Sequence, residues 1–189
     1  MKKVEHGKTF DRNAANPPAF EIFHNTVTEG YPEHWHTAIE IIMPTRGEYE
    51  VVVGKDSYNL KEGDIIMINS GVVHGMRFVS QGERIVMLVE PGCVENQEEM
   101  ETIFLRLPAI YFKKEDEEDP FYLFLRSQIL ELVREYDNEG AVMTHRICTG
   151  LKELFSEFGR KGFSDANAQN TFGAMKQQEY IEAVLSACR

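Results

Sequence analysis

Between Gly30 and Glu40 the chain sets two histidines and a glutamate on one parity, and no other stretch limits its fold as tightly. The run reads Gly30-Tyr31-Pro32-Glu33-His34-Trp35-His36-Thr37-Ala38-Ile39-Glu40, and six residues then separate Glu40 from Gly47. On a β-strand alternate side chains share a face, so a strand from Trp35 to Met43, extended back to His34, would point His34, His36 and Glu40 the same way. Trp35, Ile39, Ile41 and Met43 take the other face and are bulky and apolar, as expected for a strand covered on both sides. Trp35 therefore reads as packing core, with an aromatic wall for a ligand as the functional alternative. Enclosing two imidazoles and a carboxylate is costly unless they bind something. A second run, Gly63, five residues, Asn69, then Gly71 and His74, returns a third histidine on a later strand. Met76 and Phe78 share parity with His74 and are expected to form an apolar floor beneath it, the usual character of a small-molecule pocket. Three histidines and a glutamate make a ligand set suited to one divalent ion among Zn, Ni, Fe(II) and Mn.

Around these runs the chain divides by periodicity. Short β-rich stretches punctuated by Gly, Pro, Asn and Asp fill the first half: Phe20–Val27, Trp35–Met43, Glu48–Val53, Asp64–Ile68 and Ile85–Val89. Their spacing predicts an antiparallel barrel or sandwich, with a tight hairpin at Gly54-Lys55-Asp56 and a turn at Lys61–Asp64. After Pro91-Gly92 the period becomes helical. A short helix is expected over Glu95–Leu107. A longer one follows Asp119-Pro120, where Asp119 can cap and Pro120 can occupy the first turn, and ends at Asn138–Gly140. A third is expected from about Ala141 to Phe158. The apolar faces built on Leu123, Phe124, Leu130 and Val133, and on Leu151, Leu154, Phe155 and Phe158, should pack on each other and on the sheets, or form a dimer interface. Past the polar stretch Ser164–Asn170, Phe172, Met175, Ile181, Val184, Leu185 and Cys188 mark a last helix that reaches Arg189 without a stop signal.

Composition removes several function classes. The net charge is −11, which repels phosphate backbones and reads against nucleic-acid binding by this chain itself. No apolar run approaches the roughly 20 residues of a membrane span. Met1–His6 leads into no hydrophobic stretch, so a secretory signal is not expected. The three cysteines, Cys93, Cys148 and Cys188, are widely spaced and form no CxxC pair, which suits a reducing compartment and predicts a cytoplasmic location.

His34-x-His36-x3-Glu40-x6-Gly47 resembles the first motif of the cupin family, and Gly63-x5-Asn69-x-Gly71-x2-His74 resembles the second. In the second motif Asn69 stands where proline is usual and Phe78 where asparagine is usual; neither position is a ligand. The resemblance implies an α+β protein: a single small antiparallel cupin (jelly-roll) β-barrel over residues 1–92, then a helical dimerisation region over 93–189 made of an α-helical hairpin and a C-terminal helix. It implies a metal site at His34, His36, Glu40 and His74, with Trp35, Met76 and Phe78 as ligand-binding residues. A single barrel followed by helices, the opening Pro32-Glu33-His34-Trp35-His36, the phrase Tyr58-x-Leu60-x2-Gly63-Asp64 and Gly71–His74 resemble the effector-binding, dimerising domain of AraC-type transcription regulators. That resemblance implies a small polar metabolite such as a sugar as effector, a homodimer through the helices, and DNA contact only through a helix-turn-helix unit that would follow Arg189. A stand-alone metal-dependent cupin enzyme, a dioxygenase or isomerase, is the alternative reading, although no further acid, base or nucleophile is placed by motif beside the ligand set.

Overall fold

The computed structural model describes residues 19–26, 30–93, 108–116, 118–138 and 140–161. The expected helix over Glu95–Leu107, the stretch Ser164–Asn170 and the helix over Phe172–Cys188 lie outside them, as does the side chain of Phe78.

Nine strands and two long helices are found among the described residues. The strands are β1 (Phe20–Asn25), β2 (Tyr31–His34), β3 (Ile39–Arg46), β4 (Tyr49–Val53), β5 (Asp56–Leu60), β6 (Ile65–Ile68), β7 (His74–Phe78), β8 (Glu83–Val89) and β9 (Ala109–Phe112). The helices are α1 (Pro120–Asp137) and α2 (Met143–Lys161). All pairings are antiparallel and make two sheets, one ordered β1-β8-β3-β6-β9 and the other β2-β7-β4-β5. The expected α+β class, with antiparallel sheets followed by a helical hairpin, is the one observed among the described residues.

The two sheets carry different sequence patterns because they have different neighbours. In the larger sheet, β3, β6 and β8 read as near-continuous apolar runs, and Ile39–Pro44, Ile65–Ile68 and Arg84–Val89 are buried throughout. One face, with Ile42, Ile66, Ile68, Val86 and Leu88, packs against the smaller sheet over Val51, Val53, Leu60 and Met76. The opposite face, with Ile39, Ile41, Met43, Ile65, Met67, Ile85 and Met87, packs against the helices. The molecule is thus three layers deep, and a strand in the middle layer has no face left for water. In the smaller sheet β4 alternates buried and half-buried residues, as expected where only one face is covered. The hairpin expected at Gly54 turns through two residues: Val53 pairs with Asp56, and Gly54 takes a positive φ of 59°.

Two assignments differ from the sequence reading. The stretch taken as one strand from Trp35 is broken: β2 ends at His34 in the smaller sheet and β3 begins at Ile39 in the larger. Trp35, expected in the core, is 50% exposed. It falls in the crossover between sheets, where the two-residue alternation that assigned it to a covered face does not operate. The second difference is β9, which lies in the stretch read as helical and extends the larger sheet by pairing Ile68 with Ala109 and Ile65 with Phe112.

The helices follow their caps. Asp119 accepts a hydrogen bond from the Phe121 N–H at 2.8 Å, Pro120 opens α1, and Asn138 closes it. The inward face of α1 is Tyr122, Leu125, Ile129 and Leu132. Leu123, expected on that face, is 50% exposed. Tyr122 takes the buried place because its hydroxyl has a partner to donate to, the Gly63 carbonyl at 2.8 Å. The face of α2 is as expected, with Leu151, Leu154, Phe155 and Phe158 buried beside Ile147.

A buried carboxylate ties β9 and the following turn to the barrel. Asp64 is 5% exposed and accepts from the Lys61 N–H at 2.9 Å, the Tyr111 hydroxyl at 2.6 Å and the Lys114 N–H at 2.8 Å. Removing it strands three donors. Asp64→Ala should therefore lower unfolding free energy by about 2–4 kcal/mol, read by urea denaturation; a loss under about 0.5 kcal/mol would mean that Asp64 does not anchor β9. Asn69, at the position where proline is usual, donates its N–H to the Pro108 carbonyl at 3.0 Å and so continues the β6–β9 ladder. Asn69→Pro deletes that donor and is expected to cost about 1 kcal/mol in the same assay.

Candidate metal centre

The break between β2 and β3 gathers the histidines. His34 ends β2 opposite His74 at the start of β7, both in the smaller sheet. Glu40 enters from β3 in the larger sheet, with Leu88 on one side and Ile68 on the other. His36 lies in the crossover, and its carbonyl accepts from the Gly71 N–H at 2.8 Å. Gly71 adopts a φ of 73°, which glycine takes at no steric cost, so the glycine of the second run clips the crossover of the first. Gly47 likewise turns the chain after β3, with a φ of 77°.

One ligand atom from each of His34, His36, Glu40 and His74 lies within 4.8 Å of the others. Two ligands on opposite sides of an ion at bonds of about 2.1 Å would be about 4.2 Å apart, so the cluster is close to coordination size. His36, Glu40 and His74 are buried and His34 is half-buried. The His34 and His74 ring centroids are 4.5 Å apart and those of His36 and His74 4.9 Å apart.

Backbone carbonyls orient every ring. Nδ1 of His34 meets the Pro32 carbonyl at 2.9 Å, Nδ1 of His36 the Ala38 carbonyl at 2.9 Å, and Nδ1 of His74 the Val72 carbonyl at 2.8 Å. A carbonyl only accepts, so each Nδ1 carries the hydrogen and each neutral ring turns its Nε2 lone pair inward. Oε2 of Glu40 lies 2.9 Å from Nε2 of both His36 and His74. With neutral rings those would be acceptors facing an acceptor; a proton or a cation must lie between them. Burial would raise the Glu40 carboxyl, but hydrogen bonds from His36 and His74 when their Nε2 atoms carry protons, with the Coulombic attraction of those charged rings, hold it well below the usual carboxylate range. Burial is also the largest influence on His34 and lowers it, against the Pro32 hydrogen bond that raises it. An ionised carboxylate, three inward Nε2 atoms and Nδ1–H groups held by carbonyls are the donor set and the outer hydrogen bonding that a divalent ion uses. The residues fit the group.

The other expected site residues are dispersed. Met76 is 6% exposed and sits two residues below His74 on the inward face of β7, opposite Val51. Phe78 continues the same strand opposite Tyr49. Trp35 faces outward beside the cluster, and Tyr31, 55% exposed, stands on the His34 side with ring centroids 6.2 Å apart. Thr37, which no spacing argument singled out, donates its hydroxyl to Glu90 across the crossover at 3.0 Å.

Comparison with known proteins agrees with this geometry at the level of the domain. Residues 25–90 match the family model described as Cupin domain. No curated protein matches the chain. Among solved structures, Bacillus subtilis oxalate decarboxylase, a protein with Mn(II) centres, is 18% identical with a TM-score of 0.35, over 38% of this chain and 21% of that one. A conserved Streptococcus pyogenes protein of unknown function is 17% identical with a TM-score of 0.38, over 48% and 94%. An apo ToxT variant from Vibrio cholerae is 13% identical with a TM-score of 0.49, over 83% of this chain and 59% of that one. The chain thus spans about a fifth of the oxalate decarboxylase it resembles. Among the described residues no helix is long and apolar enough to cross a membrane.

One divalent ion per chain is expected on loading with Zn, Ni or Mn, read by elemental analysis after gel filtration. His36→Ala and His74→Ala should each weaken retention at least as much as loss of an outer-sphere partner does, about 10–100-fold. Retention should fall as acid protonates the imidazoles, because each must offer a lone pair. His34, lowered from its ordinary value of 6.5, should remain a competent ligand to more acidic pH than a free imidazole. Retention unchanged by both substitutions would remove the metal assignment.

Proposed function

We propose that this chain is the ligand-sensing, dimerising part of an AraC-type transcription regulator. In this reading a small polar metabolite such as a sugar enters the barrel, and one divalent ion is held by His34, His36, Glu40 and His74. The observation that carries the sensing role is the double use of β3. Glu40 faces the cluster, while its neighbours Ile39 and Ile41 face the helices within the same buried layer. A change in how Glu40 is engaged is thereby one strand thickness from the packing of α1 and α2. The ion, when bound, would supply a Lewis acid toward the oxygens of a metabolite. The chain's own residues orient the rings through Pro32, Ala38 and Val72 and restrict water at all but the His34 side. Dimerisation through the helices and contact with DNA through a separate helix-turn-helix unit rest on the family resemblance, and the charge of −11 agrees with DNA contact being made elsewhere.

A stand-alone metal-dependent enzyme is the second reading. It is favoured by the half-buried position of His34, which keeps one side of the cluster reachable from solvent. Hydrogen exchange with and without bound Ni or Zn separates the two. The sensor reading expects slower exchange in α1 around Leu125–Leu132 as well as around the cluster, and a change in sedimentation coefficient on adding the effector. Protection confined to the β2–β3 crossover and the β6–β7 turn, with oxygen consumption lost in His36→Ala, would decide for the enzyme.

A further inference from the structure

At the end of the barrel away from the histidines, β8 carries a buried cation that no described group answers. Arg84 shares the inward face with Val86 and Leu88 but lies four residues before Leu88, roughly 13 Å along the strand from the Glu40 level. Its backbone pairs with Asn25 on one side and Pro44 on the other. The residue is 0% exposed. Its Nε, Nη1 and Nη2 all lack a hydrogen-bond partner among the described residues, and so does the hydroxyl of the equally buried Tyr49. The guanidinium stands over the Tyr49 ring, 4.8 Å from its centroid.

The nearby carboxylates are committed elsewhere. Asp64, whose neighbour Gly63 donates its N–H to the Pro44 carbonyl, takes up donors from Lys61, Tyr111 and Lys114. Glu83, adjacent in sequence, has the opposite parity and pairs with Arg46 at 3.1 Å. Glu40 serves His36 and His74 at the other end. Arginine does not escape burial by losing its proton, and the face of one tyrosine offsets only a small part of the desolvation of an ion. What matches a planar fork of N–H donors with a hydroxyl beside it is a carboxylate accepting two parallel hydrogen bonds.

We infer that Arg84 and Tyr49 form a carboxylate-binding site inside the barrel, separate from the histidine–glutamate cluster. The inference needs neither a metal nor the regulator reading. The same chemistry is offered by a small free acid and by the carboxylate end of a longer apolar acid.

Thermal unfolding of the full chain in sodium acetate, sodium hexanoate and sodium chloride at equal ionic strength tests this. At saturation a carboxylate salt is expected to raise Tm by about 5 °C over chloride. Arg84→Met should abolish the response, and Tyr49→Phe should raise the half-effective concentration severalfold. Acetate acting as well as hexanoate identifies a small free acid; hexanoate acting at much lower concentration identifies a longer one. Should Arg84→Met fail to fold, Arg84→Lys keeps the charge but loses the fork, and its response should need about tenfold more carboxylate. No carboxylate response in the wild type, an equal response in Arg84→Met, or an unchanged one in Arg84→Lys overturns the site.

Discussion

Strand β3 is covered on both faces, and the rest of the molecule is arranged around that constraint. Ile39, Ile41 and Met43 lie under the helices while Glu40 and Ile42 face the smaller sheet. A slip of one residue would exchange these sets, placing Glu40 among the helical side chains and an isoleucine among the histidines. Both errors are costly, so the register of the central strand is held from two directions. Glu40, the only acid in the cluster, is aimed by apolar packing on the face it does not occupy.

The cluster is assembled across the gap between the sheets rather than along one strand. Each sheet contributes rigid positions, Glu40 from one and His34 and His74 from the other, and the crossover adds His36. Carbonyls at Pro32, Ala38 and Val72 then determine which nitrogen of each ring faces inward. Those carbonyls belong to the residue two before, or two after, the histidine they hold. The local chain path therefore sets ring orientation, and long-range pairing sets the distances. At the opposite end of the same interior, Arg84 and Tyr49 make a second polar site with apolar side chains between. Within the barrel, polar groups lie at the two ends and apolar side chains between them.

Much of this was legible because a few signals are local. The Gly47 and Gly71 turns, the Gly54 hairpin and the Asp119-Pro120 helix start follow from φ preferences and capping that act within a few residues. The ligand types and their spacing were legible for the same reason. Trp35 was misread because parity holds only while a strand continues, and nothing in the run announces the break after His34. Leu123 was misplaced because hydrophobicity alone ranks it above Tyr122, whose burial depends on the distant Gly63 carbonyl. Ala109–Phe112 was not recognised as a strand because four residues carry too little pattern without their partner β6.

The sequence by itself determined the inventory: a two-sheet barrel, helices after it, and three histidines with one glutamate in motif register. Only the tertiary structure decided that His34 and Glu40 belong to different sheets with His36 in the crossover between them, that Asp64 gathers three donors to hold β9, and that Arg84 is buried without a hydrogen-bond partner among the described residues. The physical reason is range. Turn, cap and alternation preferences are written within a few residues of the chain, whereas the burial and pairing of a charge depend on segments tens of residues away that meet only when the layers close.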